Sequence, residues 1–193
     1  MLIVLIVVGI LTTTLYQRYS STVNRHSALD AATKVVALGL ANKRNATDHK
    51  GRYVHRLRDQ GSLFDCDEAE CLPCNGPVCP SCNLLACKYV TKKSVESKNF
   101  IFNAVSPEYN GPACGIGQPE APPYIIACAS EGDIVKDEEG EGDPVFTIKY
   151  TGWAYTYHTD GVVLAHFGAP DPVIQNDGRK GASIKDYDLV DNK

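Results

Sequence analysis

Met1, Leu2, Ile3, Val4, Leu5, Ile6, Val7, Val8, Gly9, Ile10 and Leu11 open the chain without one charged or polar side chain. Thr12, Thr13 and Thr14 come next, then Leu15 and Tyr16, and the first charge is Arg18. A secretory signal peptide would carry a basic region before this block and a small-x-small cleavage site after it; neither is present. As a membrane-spanning helix the block is short, since residues 1–16 reach about 24 Å against roughly 30 Å of hydrocarbon. The residues beyond Tyr16 decide between a separate anchor and the start of something longer.

Leu15, Tyr19, Val23, His26, Leu29, Ala32, Val35, Val36, Leu38, Leu40 and Ala41 keep a three-to-four-residue rhythm. Gln17, Arg18, Ser20, Asn24, Arg25, Asp30 and Lys34 lie between them as a polar face. No proline occurs before Pro73, and Gly9 and Gly39 are the only glycines before Gly51. The pattern predicts one continuous helix from Met1 to about Ala41, apolar all round over 1–16 and amphipathic over 17–41. Such a helix is ~60 Å long.

This pattern resembles the type IV pilin family, including the pseudopilins of type II secretion systems. Mature members commonly start Phe-Thr-Leu-Ile-Glu and continue in a stretch like Met1–Leu11, with a glycine where Gly9 falls. That pentad, the leader peptide and the glycine before the processing site are absent, and the expectation is that the sequence begins just past them. Were Met1 the mature first residue, Leu5 would occupy the usual glutamate position, which suits a minor subunit better. Gln17 stands near the family's usual proline. The resemblance covers the first forty residues. It implies a pilin-like α+β fold, in which the long helix packs on an antiparallel β-sheet head with disulfide-closed loops. It also implies a structural subunit of an extracellular filament, serving adhesion, motility or DNA uptake. The subunit would be held in the inner membrane before assembly and handled by an assembly machinery. Polymerisation would run through Met1–Leu11 and Leu15 as a homo-oligomeric helical core. The alternatives are a pseudopilin of a type II secretion system and a membrane-anchored, cysteine-rich metal-binding domain.

Residues 42–98 read as a linker and cysteine-rich loop. Lys43, Arg44, Lys50, Arg52, Arg56 and Arg58 are expected as a solvated run, and Asn45-Ala46-Thr47 matches a glycosylation sequon. Cys66, Cys71, Cys74, Cys79, Cys82 and Cys87 alternate gaps of four and two residues, and Cys114 and Cys128 complete an even eight. Cys71, Cys74, Cys79 and Cys82 form two Cys-x-x-Cys knuckles, the pattern of a zinc site. Asn75 and Asn83 stand where a c-type haem needs histidine, and Pro73, Pro77 and Pro80 oppose a thioredoxin-like context. An anchored chain with an even cysteine count is expected to close disulfides. Spacing leaves the connectivity open, apart from Cys114 with Cys128, which flank a predicted turn and strand.

Residues 99–193 read as the sheet head and a polar tail. Phe100–Phe102 and Tyr124–Ile126 are short strands around a glycine- and proline-rich loop. Glu131–Asp143 is acidic and fits a solvated hairpin loop better than a calcium loop, since its spacing is not that of an EF-hand. In Val145–His158, Phe146, Ile148 and Tyr150 share one parity, while Trp153, Tyr155 and Tyr157 take the other. Gly152 marks the phase change, so a β-bulge is predicted there, with the aromatic stripe packing on the helix. Thr159-Asp160-Gly161 is a turn, and Val162–Phe167 returns. Pro170 and Pro172 end the sheet, with Ile184, Tyr187 and Leu189 expected to dock on it. His158 and His166 are placed to face each other across the strands. No nucleophile elbow, metalloprotease helix or phosphate-binding glycine loop accompanies them, so no catalytic residue, cofactor or enzyme activity is expected. Nineteen basic against 23 acidic residues give a net charge of −4 and no basis for a specific nucleic-acid partner.

Overall fold

Between Leu11 and Gly51 the chain contains no proline and one glycine, so nothing local interrupts a helix once it is started. In the computed structural model, helix α1 runs unbroken over Leu2–Asp48, ~70 Å. The structure describes residues 2–58, 66, 70–97, 99–109, 111, 114–137 and 145–169. The side chains of residues 2–22, 24, 56, 58, 133–137 and 145–151 lie outside that description.

The helix ends one to two turns later than its apolar rhythm predicts, and its end explains why. Gly51 donates its backbone N–H to the Ala46 carbonyl at 2.7 Å, with Lys50 in the left-handed region at φ 57°. That six-to-one closure is a Schellman stop, and it satisfies a carbonyl the helix leaves open. The added turns carry Asn42 and Asn45, both fully buried. Polar identity there signals a linker in the sequence, whereas burial makes these residues part of the head.

The other elements are β1 (Arg56–Arg58), α2 (Asn83–Ala86), α3 (Lys92–Val95), β2 (Phe100–Val105), β3 (Ile125–Asp137), β4 (Val145–His158) and β5 (Val163–His166). The strands form one sheet in the order β1-β2-β3-β4-β5, every neighbouring pair antiparallel. The α+β architecture, a long helix on an antiparallel sheet, is thus as expected. Strand β1 comes from the stretch read as linker. Strand β3 continues through Glu131–Asp137, where a loop was expected, because this segment pairs with Val145–Tyr150. The tip of that hairpin, residues 138–144, and the tail from Pro170 to Lys193 with Ile184, Tyr187 and Leu189 lie outside the described residues.

Helix α1 covers one face of the sheet. Ala28, Ala31, Ala32, Val35 and Leu38 are buried with Phe100, Phe102, Ala104, Tyr155 and Tyr157 in one apolar cluster. The aromatic stripe therefore packs toward the helix as its parity predicts, with Tyr155 and Tyr157 buried and Trp153 partly so. Gly39 is where helix and sheet meet most closely. A methyl added there would stand 2.7 Å from Cε1 and 2.8 Å from Cγ of Tyr157, with Cδ1 nearer still. Gly39→Ala would gain about 1 kcal/mol in helix propensity but lose about 1 to 3 kcal/mol to overpacking. Since ring atoms near the Tyr157 backbone must move, overpacking wins. We expect a net loss of up to about 2 kcal/mol in urea unfolding, and a stabilised variant would contradict this packing.

The bulge falls at the expected place. Ser130 pairs with Ala154 and Gly132 with Tyr150, so Thr151, Gly152 and Trp153 face the single residue Glu131. The Trp153 N–H donates to Glu131 Oε2 at 3.3 Å, and the carboxylate lies where a Cβ on residue 152 would be. The opposite face of the sheet is covered by a loop. Cys114, Ile116, Val105, Ile125, Cys128 and Ala154 form a second, smaller cluster there.

Candidate functional site

The outward surface of α1 and the cysteine-stapled face are the parts of this fold available for function. The first buried α1 side chain among those described is Ala28, while Val23, Arg25 and His26 are exposed and Ser27 is half-buried. Away from the helix's most buried side chains, Leu29 and Leu40 are 44% and 52% exposed, with Val36 between them half-buried against the edge of the core. At 100° per residue these three fall within one narrow stripe. Among the described residues no helix is long and apolar enough to cross a membrane. The segment expected to enter the membrane, residues 1–16, has its side chains outside that description. The filament-core side chains, Met1–Leu11 and Leu15, lie outside the described residues.

All eight candidate cysteines are paired, as Cys66–Cys82, Cys71–Cys87, Cys74–Cys79 and Cys114–Cys128. The Cys114–Cys128 expectation holds, and it ties the covering loop to β3. The two knuckles are not brought together as a thiolate quartet, because Cys71, Cys82 and the Cys74–Cys79 pair belong to three different bridges. Bridges spanning 16 residues remove about 3 kcal/mol of unfolded-state freedom each in the chain-entropy view. The region has little regular structure to hold it otherwise. Asn83, fully buried, supplies part of the missing order. Its amide donates to the Leu72 carbonyl at 2.8 Å and accepts from the Leu72 N–H at 3.2 Å, as a strand partner would. Cys79 is joined to Tyr53 and His55 by backbone bonds of 2.8 and 2.9 Å.

The basic run is partly absorbed into the fold. Lys43 Nζ donates to the Thr159 carbonyl at 3.3 Å, and the Arg52 guanidinium donates to the Cys74 carbonyl. The sequon is closed, since Asn45 is fully buried and its amide donates to the Arg52 carbonyl. Tyr89 donates to the Asp48 carboxylate at 2.6 Å, and burial, then that carboxylate, hold its hydroxyl above the usual tyrosine range.

His158 and His166 meet through a residue that sequence reasoning missed. Thr156 Oγ1 lies 2.9 Å from His158 Nε2 and 2.8 Å from His166 Nε2. His158 Nδ1 sits 3.1 Å from the Pro123 carbonyl, which only accepts, so this nitrogen carries the proton. His158 Nε2 therefore accepts the Thr156 hydroxyl proton, and His166 Nε2 donates to the same oxygen. All three groups are buried. Burial first, then the neighbouring His158, lower His166 to about 4. The alternation Thr156, His158 on β4 was a signal, since it places both on the face opposite Tyr155 and Tyr157. Neutral, sealed and mutually bonded, the trio is built as a core polar network.

No known protein family, curated protein or solved structure matches this chain.

Proposed function

We propose that this chain is a structural subunit of an extracellular filament on the type IV pilin plan. One observation carries the reading: an unbroken helix joins an apolar front, residues 2–11, to a rear half packed into a disulfide-stapled head. Bundled apolar helices bury surface at about 25 cal/mol per Å², which suits a front of unbroken apolar sequence. The Leu29, Val36 and Leu40 stripe continues that surface along the head. Before assembly residues 1–16 hold the subunit at the inner membrane. The four disulfides suit an oxidising exterior.

The double variant Leu29→Lys/Leu40→Lys changes two exposed positions, so the head should unfold at the same urea concentration as the parent. Placing two cations in the inter-subunit seam is expected to lower pelletable polymer at least about tenfold, the equivalent of 1.4 kcal/mol per contact. Sedimentation and electron microscopy of the full chain in cells with a filament-assembly machinery read this out. Short secretion-linked fibres in place of long surface filaments would favour the pseudopilin form. A parent chain that stays monomeric would end the proposal.

A further inference from the structure

Asn45 and His49 stand one turn apart near the end of α1, beside the Cys74–Cys79 disulfide. A ring nitrogen of His49 and the two sulfurs lie within 4.8 Å of one another. His49 Nδ1 is 2.9 Å from the Asn45 backbone carbonyl. A carbonyl only accepts, so Nδ1 carries the hydrogen and Nε2 keeps the lone pair. Histidines that ligate metals are oriented in this way by a bond from the other ring nitrogen. Asn45 adds an independent observation. Its Nδ2 is 3.4 Å from Cys79 Sγ, while its Oδ1 is buried with no hydrogen-bond partner. A buried amide oxygen left unpaired is unusual and calls for an explanation.

We propose that the reduced form of this bridge binds a zinc ion through Cys74 Sγ, Cys79 Sγ and His49 Nε2, with the fourth position taken by an oxygen, either water or Asn45 Oδ1 after its side chain turns. Two sulfurs, one imidazole and one oxygen make a four-coordinate set of borderline-soft donors, which zinc accepts. A dithiol reductant supplies two electrons and two protons to the Cys74–Cys79 bond and closes to its own disulfide. The two protein thiols then release their protons as zinc binds. The sulfurs must separate to about 3.7 Å, the edge of a tetrahedron with zinc–sulfur bonds of ~2.3 Å. The connecting residues Asn75, Gly76 and Pro77 are exposed, so the loop has room on its outer side for that opening. The bridge is thus a two-way element, a disulfide when oxidised and a cation site in the chain before its cysteines close. The set differs from the Cys71, Cys74, Cys79 and Cys82 quartet, because it uses helix α1 and spares the outer knuckle cysteines. It is independent of filament assembly.

Cobalt(II), titrated into the full chain after reduction by a phosphine, tests it, with circular dichroism tracking the fold. One equivalent should bind with thiolate-to-cobalt charge transfer and the visible bands of a tetrahedral ion, and zinc should displace it. His49→Ala should weaken binding at least about tenfold, and the Cys74→Ser/Cys79→Ser double variant should abolish the charge-transfer band. Cys71→Ser/Cys82→Ser should retain both. Equal affinity in His49→Ala, loss in Cys71→Ser/Cys82→Ser, or no binding by the reduced chain, folded or unfolded, would overturn the proposal.

Discussion

Replacing Asn42 with alanine is expected to cost about 4 kcal/mol of folding stability. The amide is fully buried and bonded at both ends. Nδ2 donates to the Val105 carbonyl at 3.1 Å and the Ile126 carbonyl at 2.8 Å, while Oδ1 accepts from the Val54 N–H at 3.0 Å. One helical residue therefore ties α1 to β2, to β3 and to the segment entering β1. Alanine leaves the Val54 N–H buried without this acceptor, at about 1 to 3 kcal/mol, and removes two further bonds worth about 1 kcal/mol each. Leucine would fill the space and rescue nothing. Aspartate separates the acceptor's contribution from the donor's, since it keeps an acceptor for Val54 but turns a charge toward two carbonyls. Its stability should rise as pH falls, because only the protonated acid can donate to either carbonyl. Urea unfolding of the oxidised protein measures all three. A cost below about 1 kcal/mol for alanine would show that the amide is not what joins helix to sheet.

The second large effect is a loss of stability in mild acid, traced to His166. Its folded value is about 4, against an ordinary 6.5. Above pH 6.5 the imidazole is neutral in both states and imposes no penalty. As pH falls below 6.5, the unfolded chain takes up a proton that the folded chain refuses, so unfolding becomes progressively easier. The loss saturates near pH 4, after about 3 kcal/mol, at 1.36 kcal/mol per unit. The cause is burial of the ring, reinforced by the adjacent His158, with Thr156 Oγ1 between them. Carboxylates also titrate toward pH 4, so the comparison needs a variant. His166→Gln can still donate toward Thr156 but does not titrate. Its stability should be nearly flat between pH 6.5 and 4.5, where the parent declines. Parallel curves for the two proteins would assign the acid sensitivity elsewhere.

Helix α1 was legible because its signals are local. An apolar block, a three-to-four-residue rhythm and the absence of proline each act over one or two turns, where helical hydrogen bonds also form. The same holds for β4, whose parity change at Gly152 announced the bulge. The end of α1 was not legible. Asn42 and Asn45 are polar, and polarity predicts solvent unless partners lie nearby; theirs come from Val54, Arg52, Val105 and Ile126. A similar blindness hid Gln118. Its side chain accepts from the Ile125 N–H at 2.9 Å and donates to the Ile125 carbonyl at 2.7 Å, pairing with β3 as a strand would.

Residue order alone settled the long helix, its apolar front, strand β4 with its bulge and an even set of cysteines, because each depends on neighbours along the chain. The cysteine partners, the burial of Asn42 and Asn83, the contact of Gly39 with Tyr157 and the joining of His158 to His166 through Thr156 had to await three-dimensional packing. Most are contacts between segments well separated along the chain, whose worth depends on what else has been removed from water. Spacing cannot rank such contacts, since a polar side chain reads the same whether it will face solvent or an unpaired backbone group.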